Sequence, residues 1–115
     1  MYKATVIRGD GIGKKIGWPT ANLSLPLEYV SFADGVYAGG AVVRGKHYDA
    51  AVVLDRDVHK VEVHLLNYDG DDCYDEEIIL SIYEQVSKIE NIAGQDLLVK
   101  IQHDIDAVRD VLAKE

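Results

Sequence analysis

Between residues 60 and 68 apolar and polar positions alternate. Val61, Val63 and Leu65 fall on one face, and Glu62, His64 and Leu66 on the other. A period of two marks a β-strand with one buried face. The same reading gives strands over residues 2–8, with Tyr2, Ala4 and Val6 on one face, and over 22–25, stopped by Pro26. Further strands are expected over residues 35–44, with Val36 and Ala38 opposite Tyr37, over 47–54, and over 76–86, with Ile79 and Tyr83 opposite Ile78, Leu80 and Ile82. Residues 27–34 read as an irregular connection and 55–59 as a polar turn. Arg44-Gly45-Lys46 predicts a tight hairpin with glycine where φ must be positive. The Asp- and Gly-rich stretch 69–72 predicts another turn. Five or six short strands joined by turns predict an antiparallel barrel or sandwich, and barrel closure leaves no long unpaired edge.

From Gln95 the period changes. Leu97, Leu98, Ile101, Ile105, Val108 and Leu112 recur at steps of one, three and four, which is the apolar stripe of an amphipathic helix. Asp96 near its start and Lys114 near its end suit the helix dipole. This helix is expected to pack outside the sheet and to contribute stability, not chemistry.

Residues 9–17 follow neither period and predict a loop. Gly9, Gly11, Gly13 and Gly17 lie in it with Lys14 and Lys15, and Pro19-Thr20-Ala21-Asn22 follows. Glycine lets backbone N–H groups approach a ligand closely, and with a lysine such groups cradle an anion. Thr20 and Asn22 carry the neutral oxygens that a hard cation accepts. The loop reads as a site for a metal-bound polyphosphate; on the glycines alone, a plain β-connection is an equal alternative. It is not a Walker A loop, because Gly13-Lys14-Lys15 has no hydroxyl after the lysine. Nor is it a dinucleotide fingerprint, because Gly9-Asp10-Gly11-Ile12-Gly13 misses the spacing and Pro19 denies a long helix.

Glu62 is the second candidate. A strand holds a carboxylate more rigidly than a loop, and in a partly desolvated cleft it would serve as a general base. The bland alternative is a solvated outer-face glutamate. His47, His59, His64 and His103 lack metal-ligand spacing, so zinc is not expected, and His64 reads as a strand residue with a structural hydrogen bond. Cys73 has no neighbouring base to activate it. Asp69, Asp71, Asp72 and Asp75 lack the closing glutamate of a calcium loop and read as a solvated turn.

Charge narrows the partners. The 115 residues carry 20 acidic and 12 basic side chains, a net charge of −8. That argues against non-specific nucleic-acid binding and against an anionic membrane surface. A polyanion must therefore bind locally, through a few basic residues and a metal. At this length and 48% apolar composition the whole chain, 1–115, reads as one domain with one core. The lone cysteine excludes an internal disulfide and fits a reducing cytosol. No apolar run is long enough to span a membrane, and no signal-peptide pattern opens the chain. The expectation is a cytoplasmic monomer.

Several segments together resemble one family. Gly-x-Gly-x-Gly-Lys-Lys-Ile-Gly-Trp-Pro-Thr-Ala-Asn-Leu from Gly9 to Leu23, then Gly35-Val36-Tyr37-Ala38, then Val61-Glu62-Val63-His64-Leu65-Leu66, are similar to the riboflavin kinase family in order and approximate spacing. The closing helix, with Ile101 and Asp104-Ile105, is similar as well. The resemblance implies a six-stranded antiparallel Greek-key β-barrel over about residues 1–92, with an α-helix over about 94–113 packed outside. It implies transfer of the ATP γ-phosphoryl group to the 5′-hydroxyl of riboflavin, giving FMN. Thr20 and Asn22 would bind Mg²⁺, or another divalent cation, and the phosphates. The stretch 9–17 would be a flap over the nucleotide, and Glu62 the general base. Bacterial bifunctional relatives carry an adenylyltransferase domain before this module, and that second activity is not expected here. On the flavin side the chain departs from the family pattern. Cys73-Tyr74-Asp75 stands where Leu-Tyr-Gly is usual, Ser87 replaces an arginine, and Ile92 replaces a phenylalanine. Tyr74, Ser87 and Lys88 are the flavin-side candidates, Lys88 as a substitute cation. Those departures define the alternative function, a module that holds flavin or nucleotide without turnover.

Overall fold

A computed structural model of the protein describes residues 1–7, 20–68, 76–89 and 95–114; for Thr20 and residues 95–98 it describes the backbone alone. Six strands, β1 (Tyr2–Ile7), β2 (Thr20–Leu23), β3 (Gly35–Val43), β4 (Lys46–Asp55), β5 (Lys60–Leu65) and β6 (Glu77–Ser87), precede one helix, α1 (Gln95–Ala113). The strands close into a barrel in the order β1-β2-β5-β4-β3-β6, every pair antiparallel. Strands β3, β4 and β5 form a meander, and β6 returns to lie beside β3, which is a Greek key. Six strands and an outer helix match the expected architecture.

The alternation read in the sequence decides which residues fill the barrel. Val61, Val63 and Leu65 of β5 meet Ala50, Val52 and Leu54 of β4, with Val6, Leu23, Ile78 and Leu80 closing the cluster. Burying one such aliphatic side chain contributes roughly 1.5–3 kcal/mol. Glycine is required at two places. A Cβ at Gly39 would collide with the Ser81 carbonyl oxygen of β6, so β3 and β6 approach closely only without one. In the β3–β4 hairpin Arg44 and Gly45 both have positive φ, 51° and 81°. That is the backbone of a primed two-residue turn.

Several strand ends differ from the sequence expectation. Strand β5 ends at Leu65, not at residue 68, because Asn67 adopts φ 59° and turns the chain. Asparagine tolerates that conformation. Strand β2 starts at Thr20 and stops at Leu23. The connection expected over 27–34 contains a short 3₁₀ turn, Leu27–Tyr29. Arg56 pins this connection. Its guanidinium donates to Asp34 Oδ1 at 2.6 Å and to the carbonyl oxygens of Leu27, Val30 and Phe32 at 3.0–3.3 Å. The polar turn after β4 is thus the brace for one end of the barrel.

The helix lies on the outside of β3, β4 and β6. Its buried Ile105 and Val108, with Ile101, Val111 and Leu112, sit on Ala38, Ala51 and Leu66. Ala38 and Ala51 are register partners. Two adjacent small residues leave a shallow seat for the helix on the sheet.

Candidate active site

The candidate residues Thr20, Asn22 and Glu62 lie on β2 and β5. Asn22 pairs in register with Glu62, and Thr20 pairs with His64. Inward positions Ala21 and Val63 are themselves partners and are buried. Since side chains alternate along a strand, Asn22 and Glu62 therefore share the outer face. Directly opposed antiparallel residues stand about 4.5–5.5 Å apart at Cα. Two side chains far apart in the chain, an amide and a carboxylate, become neighbours by register alone.

Glu62 is neither core nor fully solvated. Its side chain is 21% exposed, and Oε1 lies 3.5 Å from Lys60 Nζ. On the side away from Asn22 its register partner is Val53 of β4, also half-buried. The same transverse row continues through Val36 of β3, partner of Val53, to Ser87 of β6, partner of Val36. From Glu62 to Ser87 is three strand spacings, about 14 Å along the sheet. The row is polar at both ends and apolar between them.

A second polar cluster lies beneath α1. Lys100 Nζ donates to Asp104 Oδ2 at 2.5 Å and to Ser87 Oγ at 2.8 Å. Both charged side chains are largely withdrawn from water, 13% and 9% exposed. Asp104 Oδ1 is buried and, among the described residues, has no hydrogen-bond partner, with His103 Nδ1 3.8 Å away. His64 is buried nearby; burial pushes its pKa down to about 4, against an opposing pull from the Asp104 charge. The imidazole is therefore neutral near pH 7.

Of the residues singled out from the sequence, Asn22 and Glu62 are brought together, with Thr20 two positions before Asn22 on the same strand. Ser87 ends β6 and is bound by the helix. Lys88 is exposed. Among the described residues the cation that reaches Ser87 is Lys100, a helix position that the apolar periodicity does not single out. Gly9, Gly11, Gly13, Lys14, Lys15, Gly17, Pro19 and Tyr74 lie outside the described residues. Lys100 and Asp104 did leave a signal, because their i,i+4 spacing stacks them on one side of a helix. Nothing in the spacing told that this side faces Ser87.

The donor set bears on the metal. Among the described residues no three His, Cys, Asp or Glu side chains gather into a metal-binding group. Asn22 and Thr20 offer neutral oxygen only. Such a set fits Mg²⁺ that arrives with a polyphosphate and keeps phosphate and water oxygens as its other ligands. No helix among the described residues is long and apolar enough to cross a membrane.

The riboflavin kinase family model matches residues 1–112. A 49-residue stretch is 45% identical to the bifunctional riboflavin kinase/FMN adenylyltransferase of Bacillus subtilis, covering 43% of this chain and 16% of that protein. The fold is similar to the riboflavin kinase of Trypanosoma brucei, with TM-score 0.76 and 21% identity over 97% of this chain and 76% of that one. It is also similar to a macrolide-efflux protein from Streptococcus pneumoniae, with TM-score 0.79 and 25% identity over 93% of this chain and 37% of that one. The chain thus corresponds to a small part of the bacterial proteins it matches. A family match from one end of the barrel to the helix, on a barrel that sets Asn22 beside Glu62, makes this chain a member of the riboflavin kinase family.

Proposed function

We propose that the protein is an ATP-dependent riboflavin kinase that phosphorylates the 5′-hydroxyl of riboflavin to give FMN. The observation that carries this reading is the register of β2 on β5, which sets Asn22 beside Glu62. Phosphoryl transfer needs positioning and charge neutralisation more than covalent help from the protein. A metal–phosphate end and a proton acceptor must therefore stand next to one another.

Asn22 and Thr20 hold the phosphate end, together with the stretch 9–17 and its lysines. Mg²⁺, when bound with ATP, neutralises charge on the phosphates. Glu62 accepts the proton of the 5′-hydroxyl as that oxygen bonds to the γ-phosphorus and the bond from phosphorus to the β-phosphate bridging oxygen breaks. General-base help of this kind is worth roughly 10²–10⁴-fold. With phosphates on the β2 side of Glu62, the acceptor body extends the other way, over Val53 toward Val36 and Ser87. That direction gives a flat apolar ring an apolar wall and ends at a polar edge at Ser87; Tyr74 and Lys88 are the other flavin-side candidates. The acidic composition and lone cysteine fit a cytoplasmic, monomeric, single-domain enzyme whose partners are riboflavin and ATP and not nucleic acid.

Incubation with ATP, Mg²⁺ and riboflavin, resolved by chromatography, tests the reading. FMN is the expected product. No FMN with any divalent cation, alongside bound riboflavin, would instead make the protein a non-catalytic flavin-binding module.

A further inference from the structure

We infer that Lys100 and Asp104 of α1 are positioning residues for the acceptor side of the site, acting through Ser87. The inference rests on the functional reading above, because that reading sends the acceptor from Glu62 toward β6.

The first observation is the kind of contact. Apolar packing of α1 on the barrel runs from Ile101 to Leu112. Lys100, one residue nearer the helix start, makes a polar contact instead, with Ser87 Oγ at 2.8 Å. This contact ties α1 at Lys100 to the end of β6.

The second observation is position. Ser87 shares a transverse row with Val36, Val53 and Glu62. A shift of the helix start at Ser87 therefore changes the far edge of the row that begins at Glu62. It leaves the Asn22–Glu62 pair on the opposite side of the barrel untouched.

The third observation is the state of the ion pair. Asp104 holds Lys100 at 2.5 Å, yet among the described residues its other oxygen is buried without a hydrogen-bond partner and has only the exposed His103 imidazole at 3.8 Å. A buried pair that is only partly satisfied gives little net stability, and replacing both partners by apolar groups is often neutral. Stability alone is a poor account of it. Geometry is a better one: Asp104 aims the Lys100 ammonium, and the ammonium aims Ser87.

The test is the double variant Lys100→Met/Asp104→Leu, which avoids leaving one buried charge alone. Its melting temperature, its riboflavin dissociation constant by flavin fluorescence, and its KM for riboflavin and for ATP are compared with wild type. Losing one charge-assisted hydrogen bond predicts riboflavin Kd and KM about tenfold higher. Melting temperature and the KM for ATP should stay close to wild type. A folded double variant with wild-type riboflavin affinity would overturn the inference, as would equal loss of riboflavin and ATP. If the double variant does not fold, Lys100→Arg decides. It keeps the ion pair but changes the reach to Ser87, so riboflavin Kd should rise several-fold; an unchanged Kd overturns the inference. Wild-type protein that binds riboflavin without making FMN would reject the kinase reading alone, since the Kd comparison still applies. Wild-type protein that does not bind riboflavin rejects both.

Discussion

The outer face of β2 and β5 and the junction of β6 with α1 are both polar places on an apolar frame, and they are built differently. On β2 and β5, backbone register does the placing. Asn22 and Glu62 are neighbours because Ala21 and Val63 are buried partners one position away. A strand cannot move one without flipping its whole apolar set out of the barrel. At the β6–α1 junction, long side chains do the placing. Ser87 meets Lys100 only because the helix docks in one orientation on Ala38 and Ala51. The first region is held by the barrel's own core; the second is held by a docked element and one ion pair. The proposed function puts phosphate chemistry on the rigid side and acceptor choice on the adjustable side.

The largest expected effect breaks the rigid side. Glu62→Gln keeps the shape of the side chain and removes the carboxylate proposed to accept the proton. FMN formation should fall roughly 10²–10⁴-fold, with the unfolding transition nearly unchanged; wild-type turnover would reject Glu62 as the base.

Next comes the docked side. Ile105 is fully buried between helix and sheet. Ile105→Ala should lower unfolding free energy by roughly 2–5 kcal/mol in chemical denaturation. While the variant stays folded, riboflavin affinity should suffer more than ATP affinity. An equal loss of the two would show that the regions are not separable.

A pH titration of stability sharpens the boundary between them at His64, which lies on β5 and feels the charge of Asp104. Its pKa in the folded protein is about 4, below the 6.5 of an unburied histidine, mainly because burial penalises the charged form. The unfolded chain therefore takes up this proton first as pH falls. The contribution of His64 is intact above about pH 6.5 and is lost progressively down to about pH 4, with a slope of at most about 1.4 kcal/mol per pH unit. His64→Asn should flatten that part of the curve; an unchanged slope would assign it to other groups.

The smallest effect is expected at Asn22. Asn22→Ala should raise the KM for ATP about tenfold at fixed Mg²⁺, with the KM for riboflavin little changed. Initial rates over a range of Mg²⁺ concentrations check it, and a shift confined to riboflavin would move Asn22 to the acceptor side.

The contrast also explains what could be read in advance. Strand β5 was legible because Val61, Val63 and Leu65 alternate with Glu62 and His64, and a period of two needs no tertiary information. The helix was legible from Ile101, Ile105, Val108 and Leu112 for the same reason at period 3.6. Strand ends were less legible, since Asn67 turning at φ 59° is a local choice that many polar residues could have declined. Arg56 looked like one more charge in a polar turn, because its carbonyl partners lie 24–29 residues away.

That a Pro-Thr-Ala-Asn segment and a Val-Glu-Val-His strand form one site was implied only by the family resemblance. The sequence by itself determined the strands, their two faces where alternation is strict, and the outer helix. Those follow from periodicity and residue chemistry, which act over a few residues. Tertiary structure alone decided that Asn22 stands opposite Glu62, that His64 is buried and neutral, and that Lys100 rather than Lys88 reaches Ser87. Each of these depends on strand order and helix docking. They are set by the closure of the whole core and leave no local trace in the chain.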